Sequence, residues 1–542
     1  MKRLLPILLL VLPCAVRADP VTNRIPKSSV GVLRLASADR IDAVAKEWLP
    51  ILQAFGAKES ALHPVREAPL STIFFAEAGL EPSVLDKAKP FYFAFTDFDR
   101  APLFLGHAGA GAVWEGRKAL KDGVVAVRRG DALIIAEPSA LALETRGAPT
   151  PMLDGDASIH LYLGELIEAH RAEFMKTYTA ASAKLATLPV IPPAVRPLAP
   201  ALLSMFKSAL FSVDAFDYAV TWSRGELISQ GRLTTRPASP MRALLSRAGP
   251  AADHDLAAFL PENAFFIFDF SGNPDWPGKE LGALVDGALG KPGAWQAIAG
   301  LLDVTGAFSS HLTGHFAGAI ALEGLMNGST IQIAELAPGT DPTALFQGFD
   351  PSKANPLLAE LGVPIQMKFE PACDEYKGVK LHRITLSSSA AQFAMAVSMT
   401  RTCLAADSGY LMIVSSPTAE RDISDLIDKV RAGKPRSSAH LEAMARLGGT
   451  RNLGLTVNPA ALKNFAVMMG AFVPELARFA AKLPDSMPIS TAVTFSSGDL
   501  AWRGNWPVQE IAQVAKAIRT MREGSSGSKP TPPPPEKEKD FD

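Results

Sequence analysis

Residues 218–233 read YAVTWSRGELISQGRL, and residues 491–506 read TAVTFSSGDLAWRGNW. The two stretches align without a gap and are identical at seven of sixteen positions. Each predicts a strand, a tight turn around Gly225 or Gly498, and a returning strand, because glycine tolerates the positive φ that a tight hairpin turn needs. The same hairpin is therefore expected twice, near the middle and near the end of the chain.

Two further pairs of stretches match in the same order along the sequence. Residues 25–37 and 260–272 both begin with an apolar residue and a proline, continue through a polar turn, and end in a strand pattern that a helical pattern follows. Residues 129–139 and 408–418 both read as an apolar strand that ends at a proline. Three matches in one order predict an internal duplication.

Antiparallel hairpins joined by single helices are typical of α+β folds. Residues 91–106 and 316–335 predict two more hairpins, the second around Asn327-Gly328. We therefore expect two tandem diverged copies of a domain built from antiparallel strands with packed helices. The expected domains cover residues 19–249 and 250–522.

Two long helices are predicted at similar places in the two halves, over residues 163–188 and 461–483. The second is amphipathic, and we favour a helix that packs in the core over one that faces lipid or a partner. It also contains charged residues and Pro474, so a membrane span is not expected.

The two ends of the chain predict segments outside the folded part. A basic start, the apolar run 4–12 and the small residue Ala18 predict a secretory signal peptide, residues 1–18, and hence a periplasmic or extracellular protein. Cys14 leaves lipidation open, although Pro13 stands where a small residue is normal. Residues 523–542 are rich in glycine, serine, proline and charge, and we expect a disordered tail.

Charge and cysteine content exclude some classes of partner. The formal net charge is −1 over 542 residues, and no basic stripe in the sequence points to nucleic acid or to an anionic membrane. Beyond the predicted signal peptide only Cys373 and Cys403 remain. In an exported chain they can form one disulfide if their strands are neighbours, and two separate thiols are the alternative.

One set of motifs resembles that of penicillin-binding proteins and serine β-lactamases. Residues 204–207 read Ser-Met-Phe-Lys, residues 271–273 read Ser-Gly-Asn, and residues 291–293 read Lys-Pro-Gly. In that family the lysine assists attack by the serine. Here Pro292 replaces the small or hydroxyl residue of the third motif, and this motif follows Ser271 too closely. We interpret Ser204 and Lys207 as residues of a helix surface.

Two groups of histidines are candidates for metal ligation. His311 and His315 stand four apart, but Leu312 occupies the position where a metallohydrolase needs a glutamate, and Gly314 makes a helix doubtful. The second group lies on a predicted amphipathic helix and reads as a solvated face: His160, Glu165, Glu168 and His170. No catalytic, cofactor or metal residue is assigned.

The Leu260-Pro261 entry, the strand and helix after it, and the glycine hairpins at Gly378 and Gly409 loosely resemble exported bacterial tandem-domain proteins of uncharacterised function. That resemblance implies no activity and no site residues. Two hypotheses follow. The first is a non-enzymatic binding or scaffold protein for an unknown protein or apolar ligand; the alternative is a secreted hydrolase with a dispersed serine or metal site.

Overall fold

The computed structural model of the chain describes most of the predicted folded part. The described residues are 20–54, 63, 69, 72, 80–96, 102–120, 123–146, 152–153, 155–186, 198–223, 225–262, 264–276, 278–290, 292, 304–322, 328–360, 363–388, 400–433, 438–461, 463, 466–467, 477–478, 480–484 and 487–526. The predicted signal peptide, residues 527–542 of the predicted tail, and most of the predicted helix over 461–483 lie outside them.

Nineteen strands are found in the described residues, and every pairing between them is antiparallel. They are β1 (Gly31–Leu35), β2 (Phe91–Phe95), β3 (Leu103–His107), β4 (Gly116–Ala119), β5 (Val125–Arg129), β6 (Ala132–Ala136), β7 (Ala157–Leu161), β8 (Val213–Ser223), β9 (Glu226–Thr235), β10 (Phe266–Ser271), β11 (Leu312–Leu322), β12 (Gly328–Leu336), β13 (Ile365–Tyr376), β14 (Val379–Ser388), β15 (Arg401–Asp407), β16 (Tyr410–Ser416), β17 (Leu453–Val457), β18 (Ile489–Ser496) and β19 (Asp499–Pro507).

Eleven α-helices and six short 3-10 helices complete the described part of the chain. The α-helices are α1 (Ala38–Ala54), α2 (Pro138–Leu141), α3 (Leu163–Ala169), α4 (Arg171–Ala186), α5 (Leu198–Ser212), α6 (Pro240–Ser246), α7 (Gly278–Leu289), α8 (Asn355–Glu360), α9 (Ala419–Ala432), α10 (Ala439–Arg446) and α11 (Val508–Ser526). The 3-10 helices are Pro20–Arg24, Pro82–Val84, Leu256–Phe259, Val304–His311, Pro351–Ala354 and Pro459–Ala461.

All nineteen strands belong to one sheet, so the prediction of two tandem domains is wrong. The strand pairs give the order β4-β5-β6-β3-β2-β1-β7-β8-β9-β19-β18-β17-β10-β11-β12-β16-β15-β14-β13. The mixed content, 36% helix and 37% strand, is compatible with the α+β part of the prediction.

The two hairpins that resemble each other in sequence meet at the centre of this sheet. They form β8–β9 and β18–β19, with Gly225 at φ +90° and Gly498 at φ +84° in their turns. Strand β9 pairs with β19 over eight residues, and Gln230 stands opposite Arg503. The ring of Trp502 lies against Gly231, where an added Cβ would come within 2.0 Å of it. The pair therefore needs glycine at this position.

Helices also cross the predicted domain boundary in both directions. Helix α11, near the C-terminus of the chain, packs on α1, near the N-terminus. Val508 and Ala512 of α11 enter the same core as Trp48 of α1. Helix α6 packs on β18 and β19, where Arg242 approaches Asp499 at 3.6 Å. The cores of the two halves are therefore built from shared elements.

Both faces of the sheet are covered at β2. In β2, Phe91, Phe93 and Phe95 enter one core and the alternate residues Tyr92 and Ala94 enter another. Successive strand side chains point to opposite faces, so two different cores must flank this strand. A strand covered on both faces reads as a continuous apolar run, as β2 does.

Candidate binding surface

Helix α5 is the most exposed apolar element in the described part of the chain. Its fifteen residues, LAPALLSMFKSALFS, contain one charged residue, Lys207. Among its described side chains only that of Ser212, the last residue, is buried. Phe206 is 61% exposed and Met205 is 41% exposed. A helix this apolar is normally buried in a core, so its exposed side chains make it a candidate binding surface.

Helices α4 and α5 pack together as a hairpin. The rings of Phe174 and Phe211 meet edge to face at 5.4 Å, an arrangement that stabilises aromatic pairs. Helix α4 buries none of its described side chains, whereas α5 also packs on α6 and α7. Helices α4, α6 and α7 therefore hold α5 in place without covering Met205 and Phe206.

Two basic side chains lie beside aromatic rings of the hairpin. The Nζ of Lys207 lies 4.8 Å from the ring centroid of Tyr178, and the guanidinium of Arg171 lies 4.9 Å from that of Phe211. Arg171 also pairs with Glu168 at 2.9 Å. Long basic side chains place their aliphatic stems on apolar surface and keep the charge in water.

The serine and lysine motifs are distributed over different parts of the molecule. Ser204 is exposed on α5, and Lys207 lies beside Tyr178. Ser271 is 1% exposed at the end of β10, and its hydroxyl has no hydrogen-bond partner among the described residues. Lys291 lies outside the described residues. The described part of the motif set does not form one accessible site.

The two spaced histidines have different environments. His311 is exposed at the end of a 3-10 helix, whereas His315 lies on β11 and its Nδ1 is 3.0 Å from Glu335. The ring of His254 stacks on that of His315 at 5.2 Å. Within the described residues, no set of three histidine, cysteine, aspartate or glutamate side chains is placed to hold a metal ion.

A serine, a histidine and an acid nevertheless lie on neighbouring strands. Ser271 stands opposite His315 in the β10–β11 register, and His315 bonds to Glu335 on β12. A serine nucleophile must bond to its base and reach the substrate. The buried, unbonded hydroxyl of Ser271 meets neither condition. This arrangement therefore does not support hydrolysis.

A fully buried ion cluster lies nearby. The Asp269 carboxylate accepts hydrogen bonds from Arg451, whose Nε lies at 2.8 Å, and from His440, whose Nε2 lies at 2.8 Å. Burial opposes ionisation of Asp269, but the hydrogen bonds from His440 and Arg451 outweigh it and hold its pKa well below the ordinary value. Every member is paired inside the core, which is typical of a structural cluster.

The second group of acids and histidines is divided between two environments. His160 is buried on β7, and its Nδ1 lies 2.6 Å from Asp217. Glu165 binds Arg146 and lines a cavity of about 370 Å³ together with Arg146 and Lys27. This volume lies at the lower end of the range for small-molecule sites, about 300–1,000 Å³.

The remaining two members of this group do not join the cavity lining. Glu168 pairs with Arg236 at 2.9 Å, and His170 is exposed and lies 3.8 Å from Glu173. Each of the three side chains that line the cavity already forms a salt bridge. Arg146 pairs with Glu165, and Lys27 pairs with Glu144 at 2.5 Å.

Cys373 and Cys403 are not bonded to each other in the structure. Cys373 is exposed on the edge strand β13 and Cys403 is buried on β15, so β14 lies between them. Strands two positions apart are separated by roughly 9–10 Å, beyond the Cα spacing of most disulfides. Burial raises the pKa of Cys403 to about 12. The disulfide stays a prediction.

Comparison with protein-family models, with curated proteins and with solved structures gives no match. No described helix is both long and apolar enough to cross a membrane. The α4–α5 hairpin surface was not identified from the sequence. The signal was present, because residues 198–212 carry one charge among apolar residues on all sides of the helix.

Proposed function

We propose that this chain is an exported, non-enzymatic binding protein, and that the outer face of α5 is its binding surface. Export is supported by the basic start, the apolar run 4–12 and Ala18. Binding is supported by the exposed apolar face that carries Met205 and Phe206. Such a face fits a partner with an apolar surface, and it offers too few cations for nucleic acid.

The exposure of Met205 and Phe206 is the observation that carries this proposal. Burying a phenylalanine or methionine side chain contributes about 1.5–3 kcal/mol. This gain is not realised when the two side chains face water. A partner that covers them recovers it, which makes them natural anchors of an interface.

A binding experiment with the fluorescent apolar probe bis-ANS tests the availability of this face. We expect the native chain to bind the probe, and the double variant Met205→Ser, Phe206→Ser to bind it several-fold more weakly. The control is Val113→Ser, which removes an exposed apolar side chain elsewhere, 87% exposed. Circular dichroism checks that each variant is folded.

Two results would count against the proposal. One is equal probe binding by the native chain and the double variant, because the α5 face would then be unavailable. The other is covalent labelling of a serine in the native chain by a fluorophosphonate probe, because this reports an activated nucleophile and supports the hydrolase alternative.

A further inference from the structure

The α4–α5 hairpin carries an excess of positive charge. Helices α4 and α5 contain four basic residues and one acidic residue, Glu173; the basic residues are Arg171, Lys176, Lys184 and Lys207. The formal charge of the whole chain is −1, so the hairpin differs in sign from the rest of the molecule. The fold brings together charges that are spread over 171–207 in the sequence.

The positive charges and the exposed apolar side chains share one small element. Lys207 directly follows Phe206, and its charge lies beside Tyr178. Apolar side chains combined with lysine and arginine are typical of helices that lie in the interface of a membrane with anionic lipids. The apolar residues enter the acyl boundary while the cations contact the headgroups.

The length of α5 distinguishes lying on a membrane from crossing it. Fifteen residues of helix extend about 22 Å, and the hydrocarbon core is about 30 Å thick. Charge also disfavours a second copy as the occupant, because two positive hairpins meeting face to face would repel each other.

We propose that the outer face of the α4–α5 hairpin docks on an anionic lipid surface, with Met205 and Phe206 inserted and Lys207 against the headgroups. This inference rests on the proposed function, since it names the partner of the same face. The chain then binds the surface of a membrane without spanning it.

Co-sedimentation of the full chain with lipid vesicles tests the inference. We expect binding to vesicles of phosphatidylglycerol and phosphatidylethanolamine, and little to phosphatidylcholine alone. Met205→Ser with Phe206→Ser should weaken binding by about tenfold. Lys207→Glu should weaken it less, and added salt should weaken it in the native chain. Val113→Ser should bind as the native chain does.

Three results would overturn the inference. Equal binding to phosphatidylcholine vesicles would remove the role of charge. Absence of vesicle binding while bis-ANS still depends on Met205 and Phe206 would leave the binding face intact and exclude lipid as its partner. A dimer in sedimentation velocity that the double variant dissociates would make a second copy the occupant.

Discussion

Helices α5 and α9 are nearly equal in length, but α5, the more apolar of the two, buries fewer of its described side chains. Helix α9 is the more charged of the two, yet it buries a complete stripe against β15 and β16, formed by Ala419, Ile423, Leu426, Ile427 and Val430. Helix α5 has one charged residue, and its central residues Met205 and Phe206 face water. Apolar content alone therefore does not determine burial; the spacing of the apolar residues and the available sheet surface do.

This difference separates two kinds of apolar surface in the molecule. The face of α9 belongs to a core that also contains parts of β10, β11 and β14. The face of α5 contributes to none of the principal cores. Substitutions in the core near α9 should therefore reduce stability, whereas substitutions on the outer face of α5 should reduce binding.

The largest effect on stability is expected at the buried ion cluster of Asp269, Arg451 and His440. Asp269→Asn keeps the shape of the side chain but leaves the buried Arg451 with only the exposed carboxylate of Asp253 as a counter-charge. We expect a loss of about 3–5 kcal/mol in the free energy of unfolding, measured with urea. Asp253→Asn is the matched control, because Asp253 binds the same arginine at 2.9 Å from a position 64% exposed. Equal losses in both variants would contradict the prediction.

The next effect is expected within α9 itself. Ile427 is 0% exposed, and Ile427→Ala should cost about 2–4 kcal/mol through lost burial and a cavity. Met205→Ala on α5 removes a similar volume and should change the free energy of unfolding by less than about 0.5 kcal/mol. The comparison fails if Met205→Ala destabilises the chain as much as Ile427→Ala.

A pH effect is expected beside the same core. Burial lowers the pKa of His254, with Arg451 and His315 acting in the same direction against Asp269. The unfolded chain then binds more protons, so the His254 contribution is present above the unfolded pKa of about 6.5 and is lost as the pH falls below it. His254→Gln should flatten the stability curve between about pH 7 and pH 5. The control variant is His170→Gln, at an exposed site.

The smallest effect on stability is expected on the outer face of α5. Met205→Ser with Phe206→Ser should change the free energy of unfolding by less than about 0.5 kcal/mol while it weakens vesicle binding. Urea unfolding and co-sedimentation on the same preparations check the two parts. A large loss of stability would mean that this face is part of a core.

The sequence predicts an element correctly where its pattern lies within one short stretch of the chain. The hairpins around Gly225 and Gly498 follow from alternation and a glycine turn, and both are confirmed. Pairing between β9 and β19 could not be read in this way, because it joins Gly231 to Trp502 across 271 positions. Edge strands of two copies and adjacent strands of one sheet have the same local pattern, so the sequence did not distinguish two domains from one sheet.

The site was harder to predict than the hairpins. The Ser-x-x-Lys motif raised the question of a catalytic role for Ser204 and Lys207. The residues between them, Met205 and Phe206, form the exposed face instead. Burial of α5 could be decided only once the packing of α4, α6 and α7 was known. The position of Lys207 beside Tyr178 of α4 likewise depends on folding, since the two residues are on different helices.

Hydrogen–deuterium exchange of the full chain with and without phosphatidylglycerol-containing vesicles tests the difference between α5 and α9 most directly. We predict slower exchange in residues 198–212 when vesicles are present, with a smaller change in 171–186 and none in 419–432. Unchanged exchange in 198–212, or equal slowing in 419–432, would contradict the assignment of the α5 face as the binding surface.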